Sequence, residues 1–355
     1  MKLIYVLGAR PNFVKMAPVI RELRRRLPEG RHVLVHTGQH YDSLMSDVFI
    51  DELRLPEPDY ALDVGSASHA VQTARIMERL EPILIDERPD VVLVPGDVNS
   101  TLAAALAAAK LALPIAHVES GLRSFDRTMP EEINRVLTDQ VSEYLFVHSH
   151  DAVSNLEREG VESSRVHFVG NTMIDSLVEF EARFRSLDVA GRLGLTAGSY
   201  LLVTLHRPNL VDGPLLREAL DRLVAVSRQL PVIFPLHPRT RRMMPPVESA
   251  SGLRLVDPLG YLEFLSLEAE AAAILTDSGG VQEEATFLGV PCFTLRDSTE
   301  RPVTIELGTN TLLGLEPSRI DDIVPALASA LPYRSGPPPL WDGHASKRIA
   351  KVLVP

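Results

Sequence analysis

The chain has one cysteine, few aromatic residues and no excess of basic side chains. With only Cys292 among 355 residues it has no internal disulfide, which favours a reducing compartment. Cys292 lies in an apolar run, which is more typical of a buried thiol than of a nucleophile. The net charge of −11 argues against the basic face that nucleic acid or an anionic membrane requires. The sequence therefore predicts neither partner.

Membrane spans, a signal peptide and the common nucleotide fingerprints are also missing. No apolar stretch is long enough to span a bilayer without a charge or a proline. The N-terminus lacks a signal-peptide cleavage site and has the pattern of a strand. Neither G-x-G-x-x-G nor a Walker loop occurs. We therefore predict a soluble, cytoplasmic protein.

Short β-rich runs alternate with helical patterns along the whole chain. This alternation is typical of parallel sheets with crossover helices. A helical stretch followed by turn residues, between about residues 169 and 198, divides the pattern in two. We predict an α/β fold of two doubly wound, Rossmann-like domains that face a cleft, over residues 1–170 and 171–342. The predicted strands are Leu3–Leu7, His32–His36, Val91–Pro95, Pro114–Val118, Tyr144–His148, Tyr200–Leu205, Pro231–Leu236, Arg254–Val256, Ala272–Thr276, Pro291–Leu295 and Thr311–Leu313.

In the first half, three predicted strands end in loops with charged side chains. After the first strand, Gly8 permits a tight turn, and the following turn directs Arg10 and Lys15 towards an anion. After the third strand comes Asp97, while Ser100 is placed to cap the next helix. The fourth strand releases the segment 119–135, in which Glu119, Glu131 and Arg135 recur among other charged residues. Carboxylates beside arginines at the carboxyl ends of parallel strands indicate proton transfer next to an anionic substrate.

The second half repeats the arrangement with side chains that suit phosphate. Two of its strands end in His206 and His237, each with an arginine nearby and a proline turn. A third is followed by Ser278, Gly279 and Gly280, whose unencumbered amides at a helix start can hold phosphate. A capping box would explain Ser278 but not both glycines. Glu284, inside that helix, can reach ribose hydroxyls, and Arg301 and Arg296 follow in the next loop.

These segments together resemble the non-hydrolysing UDP-N-acetylglucosamine 2-epimerases. The resemblance runs from Met1 to about Leu313 with the segments in family order, and it is carried by GARPNFVKMAPVI, TGQHYD, PGDVNSTLAAALAA, AHVESGLRSFDRTMPEEINRVLTDQ, VGNTMID, TLHRPN, TDSGGVQEEATFLGVPC and RDSTERPVT. It implies the glycosyltransferase-B fold, a C-terminal helix at about 343–355 that returns to the first domain, and a homodimer. It also implies interconversion of UDP-GlcNAc and UDP-ManNAc with no cofactor or metal.

The family mechanism assigns roles to the residues that match its motifs. The C2 proton is removed while UDP leaves C1, and re-addition with protonation on the opposite face inverts C2. By resemblance the catalytic residues are Asp97, Glu119, Glu131 and His206, and which carboxylate serves which face stays open. The residues implied to bind substrate are Arg10, Lys15, Arg135, His237, Phe264, Ser278, Gly279, Gly280, Glu284 and Arg301. Phe264 matches the position that packs on uracil, and Glu284 the position that binds ribose.

Departures from the commoner family pattern leave other functions open. The first loop reads Gly-Ala-Arg-Pro, as in relatives that act on UDP-2,3-diacetamido-glucuronic acid, so the C3 and C6 substituents are open. A glycosyltransferase, which would release UDP only with an acceptor, and a non-catalytic UDP-sugar sensor are further alternatives. After Gln39 and His40, the residues Tyr41 and Asp42 differ from relatives that a second UDP-GlcNAc activates. We therefore expect that activation to be absent.

Overall fold

The computed structural model describes residues 1–39, 51–245, 252–329 and 336–354, and the chain forms two compact units. Unit 1 comprises Met1–Val178 and Pro339–Pro355, and unit 2 comprises Glu179–Pro338. Each unit is built on its own parallel sheet with its own hydrophobic core. In the described part of the chain, no helix combines the length and the apolar character needed to cross a membrane.

Unit 1 contains a seven-stranded sheet of order β3-β2-β1-β4-β5-β6-β7, with every described pairing parallel. Its strands are β1 (Lys2–Leu7), β2 (Arg31–His36), β3 (Tyr60–Ala61), β4 (Val91–Pro95), β5 (Ile115–Val118), β6 (Tyr144–Val147) and β7 (Val166–Phe168). Its helices are α1 (Arg10–Arg26), α2 (His69–Glu87), α3 (Asn99–Lys110), α4 (Pro130–Val141), α5 (His150–Arg158), α6 (Thr172–Arg185, which includes the unit boundary) and α15 (Ala345–Leu353).

The order of the strands creates a switch point between β1 and β4 in unit 1. Successive strands run outward from β1 in one direction to β3, and from β4 in the other direction to β7. The loops that follow β1 and β4 therefore diverge to opposite faces of the sheet and leave a crevice at its carboxyl edge. Central strands carry near-continuous apolar runs because helices cover both faces; β4, for example, is buried along its whole length.

Unit 2 contains a six-stranded sheet of order β10-β9-β8-β11-β12-β13, again parallel, with its switch point between β8 and β11. Its strands are β8 (Leu201–Thr204), β9 (Val232–Pro235), β10 (Leu253–Val256), β11 (Ala273–Thr276), β12 (Cys292–Thr294) and β13 (Asn310–Leu312). Its helices are α7 (Val189–Arg192), α8 (Pro208–Val211), α9 (Leu215–Val226), α10 (Pro238–Met243), α11 (Tyr261–Ala269), α12 (Gly279–Leu288), α13 (Val303–Glu306) and α14 (Ile323–Ala328).

The two faces of the unit 2 sheet are both buried. Leu201 and Val203 of β8 belong to one apolar cluster, and the alternate residues Tyr200 and Leu202 belong to another on the opposite face. Cys292 is fully buried, and burial raises the pKa of its thiol well above the ordinary value. The thiol is therefore a packing group, as its apolar surroundings in the sequence indicated.

All eleven predicted strands are present, so the predicted doubly wound α/β class is confirmed. The two strands that the sequence pattern missed, β3 and β7, are short and lie at the edges of the first sheet. The C-terminal helix α15 belongs to unit 1, where Asp175 of α6 accepts hydrogen bonds from the amides of Ala345 at 2.9 Å and Ser346 at 2.7 Å.

Candidate active site

Asp97, directly beyond β4, is held by a buried arginine. Its Oδ2 accepts hydrogen bonds from Nε of Arg135 at 2.9 Å and from NH2 of Arg135 at 2.7 Å. Arg135 lies on α4 and is only 2% exposed, and its NH1 also binds Glu132 at 2.7 Å. The Asp97 side chain keeps 24% of its surface exposed. A fixed, partly accessible carboxylate is therefore presented at the switch point of unit 1.

Glu119, directly after β5, forms a second ion pair at the same carboxyl edge of the unit 1 sheet. Its carboxylate pairs with the ammonium of Lys15 from α1, and both side chains are 6% exposed. Glu119 has a φ of +70°, in the left-handed region that non-glycine residues rarely adopt. Such strain persists where the surroundings fix the backbone, and it is concentrated at functional sites. The ion pair fixes the Glu119 carboxylate beside a buried cation, in a position where it can act as an acid or a base.

Glu132 fixes the loop between β5 and α4. Its carboxylate accepts the backbone amides of Ser124 at 2.9 Å and Phe125 at 3.0 Å, in addition to the bond from Arg135. Glu131, the neighbouring residue on α4, is half-buried and makes no hydrogen bond or ion pair with the residues described by the structure. Glu131 is therefore available to a ligand, whereas Glu132 is a structural carboxylate.

The turn after β1 depends on the absence of a side chain at Gly8. A Cβ there would lie 2.1 Å from Oγ of Ser100. Oδ1 of Asn12 accepts the amides of Gly8 at 3.1 Å and Ala9 at 3.2 Å, which fixes the start of α1 and the position of Arg10.

The predicted capping role of Ser100 is wrong. Helix α3 begins at Asn99, and Ser100 lies one residue inside it. The amide and hydroxyl of Ser100 both donate to Oε1 of Gln39, at 3.0 and 2.6 Å. A side chain from a distant loop therefore satisfies the helix start. The neighbouring predictions for His40, Tyr41 and Asp42 lie outside the described residues.

A buried network behind Asp97 was not predicted from the sequence. Nε2 of His117 lies 2.7 Å from the carbonyl oxygen of Gly96, and Nδ1 lies 2.7 Å from Oδ1 of Asp139. Arg123 pairs with the other oxygen of Asp139 at 2.7 Å. Burial alone would raise the pKa of Asp139, but His117 and Arg123 outweigh it and hold that pKa below the ordinary value. The network fixes the peptide that precedes Asp97.

In unit 2, His206 follows β8 and is oriented by Asp277 at the end of β11. Nδ1 of His206 lies 3.0 Å from Oδ1 of Asp277, and the amides of His206 and Arg207 both donate to Oδ2 at 2.8 Å. These contacts hold the pKa of the buried Asp277 below its ordinary value, although burial opposes them. The His237 ring lies 5.4 Å from that of His206 between centroids. The structure thus brings the two predicted histidines together.

The residues predicted to hold phosphate lie at the start of α12. Ser278 is the N-cap residue, but its side chain makes no capping hydrogen bond, so a capping box does not account for it. A Cβ on Gly279 would lie 2.4 Å from NH1 of Arg301, so the guanidinium can approach the helix start only because this residue is glycine. Gly280 is the next residue of the helix.

Arg301 belongs to a cluster of arginines that share acidic partners. It pairs with Glu283 at 3.0 Å and with Glu300 at 2.9 Å. Arg296 at 2.7 Å and Arg207 at 3.4 Å also pair with Glu300. Three guanidinium groups are thus gathered beside the helix start, and guanidinium groups are good donors to phosphate. The role of Glu300 in assembling this cluster was not predicted.

Glu284 lies deeper in α12, next to Tyr261 of α11. The Tyr261 hydroxyl donates to its Oε1 at 2.9 Å, and Glu284 is 3% exposed. Burial, with a contribution from Glu283, raises the pKa of Glu284 to about 8. Phe264, also on α11, is partly buried against the apolar cluster of that face. Predicted ribose and uracil positions therefore lie on adjacent helices of one unit.

The fold and the site together define a two-unit α/β enzyme of the glycosyltransferase-B-like class, with carboxylates paired to buried cations in unit 1 and a cluster of arginines in unit 2. The UDP-N-acetylglucosamine 2-epimerase family model matches residues 21–354. The chain belongs to this family, and its members are isomerases.

Several relatives are similar over nearly their whole length. A UDP-N-acetylglucosamine 2-epimerase homolog from Methanococcus maripaludis is 44% identical, with 99% of each chain covered. A UDP-2,3-diacetamido-2,3-dideoxy-D-glucuronate 2-epimerase from Pseudomonas aeruginosa is 41% identical, with 100% of this chain and 99% of the relative covered. The crystal structure of Methanocaldococcus jannaschii UDP-GlcNAc 2-epimerase with UDP-GlcNAc and UDP is 42% identical, with a TM-score of 0.90 and 99% of each chain covered.

Proposed function

We propose that this protein interconverts UDP-GlcNAc and UDP-ManNAc by eliminating UDP from the sugar and adding it back. The observation that carries the proposal is the pair Asp97 and Glu119 at one sheet edge, each held by a buried cation. A fixed carboxylate next to Lys15 or Arg135 suits proton transfer, because its geometry is set before the substrate arrives.

The elimination removes the C2 proton and breaks the bond between C1 and the UDP oxygen. The C2–H electron pair becomes the C1–C2 double bond, and the electrons of the C1–O bond leave with UDP. In the return step a UDP oxygen attacks C1, and C2 receives a proton on the opposite face. Asp97, Glu119 and Glu131 are the candidate acids and bases, and the assignment of faces stays open.

The C2 proton has no adjacent carbonyl, so its removal depends on stabilisation of the departing diphosphate. We assign this task to Arg10, His206, Ser278 with its glycines, and Arg301. The arginine cluster around Glu300 supports that assignment, because guanidinium groups donate hydrogen bonds to phosphate. Glu284 would accept the ribose hydroxyls and Phe264 would pack on uracil. Lys15 and Arg135 would order the carboxylates, and His237 would support the phosphate site beside His206.

Proton NMR of the C2 position in D2O tests the proposal. The purified protein should introduce deuterium at C2 of UDP-GlcNAc and form UDP-ManNAc, without added NAD or metal. Conversion that retains the original proton, or that requires NAD, would contradict the mechanism.

A related UDP-sugar is the second candidate, favoured by the Gly-Ala-Arg-Pro loop and the similarity to the Pseudomonas aeruginosa enzyme. The same exchange assay with UDP-2,3-diacetamido-glucuronic acid compares the two substrates directly. A much larger kcat/KM for the uronic acid would replace the first proposal by the second. UDP release that occurs only with an acceptor would instead indicate a glycosyltransferase.

A further inference from the structure

A small cavity lies beside Glu119 at the carboxyl edge of the unit 1 sheet. Its volume is about 10 Å³, which is room for roughly one water-sized atom. Its polar lining residues are Lys15, Glu119, His148, Asn171 and Thr172, and Val118 and Phe146 form apolar walls. The cavity thus offers an oxygen-sized space next to a candidate acid or base.

Asn171, which lines this cavity, has an unused donor. The residue precedes α6 and is 4% exposed. Its Oδ1 accepts the amide of Met173 at 2.9 Å, which fixes the orientation of the side-chain amide. The opposite end, Nδ2, is buried and has no hydrogen-bond partner among the residues that the structure describes. Since buried amide donors are nearly always paired, this donor calls for a ligand.

The backbone around Asn171 is held from behind by the C-terminal segment of the same unit. Gly170 has a φ of +88°, and a Cβ there would lie 2.1 Å from the carbonyl oxygen of Leu340. NH1 of Arg348 donates to the carbonyl oxygen of Val169 at 3.0 Å. The backbone before Asn171 is therefore fixed. A small movement of this loop would not bring a hydrogen-bond acceptor to Nδ2.

We propose that Asn171 is a substrate-positioning residue whose Nδ2 donates a hydrogen bond to the acetamido carbonyl oxygen of the sugar. The inference rests on the proposed function, because a group that handles the C2 proton is necessarily next to the substituent on C2. A carbonyl oxygen is an acceptor of the size that the cavity admits. This hydrogen bond would hold the acetamido group while Glu119 reaches the C2 proton. It would therefore select sugars with an acetamido group and orient C2 for proton transfer.

Asn171→Ser and Asn171→Asp test this assignment. Both keep an oxygen that can cap α6, and both remove the Nδ2 donor. For UDP-GlcNAc, measured by C2 exchange, each variant should lower kcat/KM by about tenfold or more. The inhibition constants of UDP and of UDP-glucose, which has a hydroxyl in place of the acetamido group, should stay within about twofold of the unmodified protein.

Asn155→Ser is the matched control, because Asn155 is a buried amide of the same unit with partners in the protein at both ends. Its nitrogen donates to the carbonyl oxygen of Gly121 at 3.0 Å, and its oxygen accepts from Arg158 at 3.1 Å. It should lower stability without changing the preference for UDP-GlcNAc over UDP-glucose. Two results would overturn the proposal: the Asn171 variants keep the kcat/KM of the unmodified protein, or they weaken the binding of UDP-GlcNAc, UDP and UDP-glucose equally. In either case the Nδ2 donor binds a water molecule or stabilises the loop.

Binding separates this inference from the proposed function. If the unmodified protein exchanges no C2 proton, competition against UDP still compares UDP-GlcNAc with UDP-glucose. A preference for UDP-GlcNAc that disappears in Asn171→Ser would keep the acetamido assignment while the epimerase mechanism fails. If the unmodified protein shows no preference for UDP-GlcNAc, or if Asn171→Ser retains the preference, the acetamido assignment fails as well.

Discussion

At the scale of single residues, the candidate site is a set of carboxylates whose partners differ. Asp97 and Glu119 are each paired with a buried cation. Glu132 accepts hydrogen bonds from backbone amides, whereas Glu131 is available to a ligand. The residue pattern alone could not separate Glu131 from its neighbour Glu132, and only the family resemblance selected Glu131. That difference arises from helix phase and loop conformation, which adjacent identical residues do not reveal.

Substitution of the acid/base candidates should separate chemistry from binding. Asp97→Asn, Glu119→Gln and Glu131→Gln should each lower kcat by about a hundredfold or more and leave UDP affinity largely intact, because proton transfer occurs only in the transition state. Glu132→Gln is the comparison, and its effect should appear first in stability. Steady-state kinetics with UDP binding measured in parallel give the answer. Loss of UDP binding with kcat retained in the first three variants would disprove the assignment.

Ser278→Ala, Glu284→Ala and Arg301→Ala should show the opposite profile. These residues of unit 2 are proposed to hold the nucleotide, so their loss should mainly weaken UDP binding. Titration calorimetry with UDP measures the change directly. Unaltered UDP affinity in all three variants would contradict a nucleotide site at the start of α12.

Glu284 should couple UDP binding to proton release. In the free protein burial raises its pKa to about 8, so near pH 7 the carboxyl is largely protonated. Ribose hydroxyls donate to the ionised form, so binding should release protons and affinity should rise with pH. Calorimetry of UDP binding in buffers of different ionisation enthalpy counts the proton. Glu284→Gln, which does not titrate, should abolish the component.

The raised pKa of Glu284 also affects the stability of the unliganded protein. Because the folded pKa lies above the ordinary value of 4.5, the contribution of Glu284 is complete below 4.5 and is lost as the pH rises to about 8. Saturating UDP should remove this dependence. Denaturant titrations at several pH values, with and without UDP, compare the two states.

At the scale of elements, the sequence predicted the strands well because buried parallel strands carry continuous apolar runs. It missed β3 and β7, which have two and three residues and no fully buried position, so they leave no apolar run. The predicted capping role of Ser100 was wrong for a different reason. The acceptor for its amide is the side chain of Gln39, which is 61 residues away in the sequence. The His117–Asp139 pair was equally invisible, because its residues are 22 positions apart.

The C-terminal helix α15 should be essential to unit 1 through a single carboxylate. Asp175 accepts the first amides of this helix, at Ala345 and Ser346, in a buried position. Asp175→Ala leaves both donors unpaired and should cost about 1–3 kcal/mol of unfolding free energy. Asp321→Ala, which removes an exposed pair with Arg222, should cost less than about 1 kcal/mol. Urea unfolding of both variants gives the comparison, and equal losses would contradict the capping role.

At the scale of the whole molecule, an acidic chain concentrates its cations where the proposed chemistry needs them. The net charge is −11, yet Lys15, Arg135 and Arg301 are each at most 5% exposed and lie against functional carboxylates or a helix start. Composition alone therefore argues against a nucleic-acid partner but says nothing against an anionic small molecule. The motifs at the strand ends, and not the overall charge, carried that information.

Substrate activation is the property in which this protein should differ from some relatives. Tyr41 and Asp42 follow the Gln39–His40 pair, and an acidic Asp42 next to a second diphosphate would oppose its binding by roughly 1 kcal/mol, which is several-fold in affinity. We therefore expect turnover of UDP-ManNAc alone and hyperbolic kinetics in UDP-GlcNAc. Initial rates with UDP-ManNAc freed of UDP-GlcNAc decide the matter. A lag that trace UDP-GlcNAc abolishes would show that an effector site persists despite the acidic residue, and Asp42→Asn would then leave the kinetics unchanged.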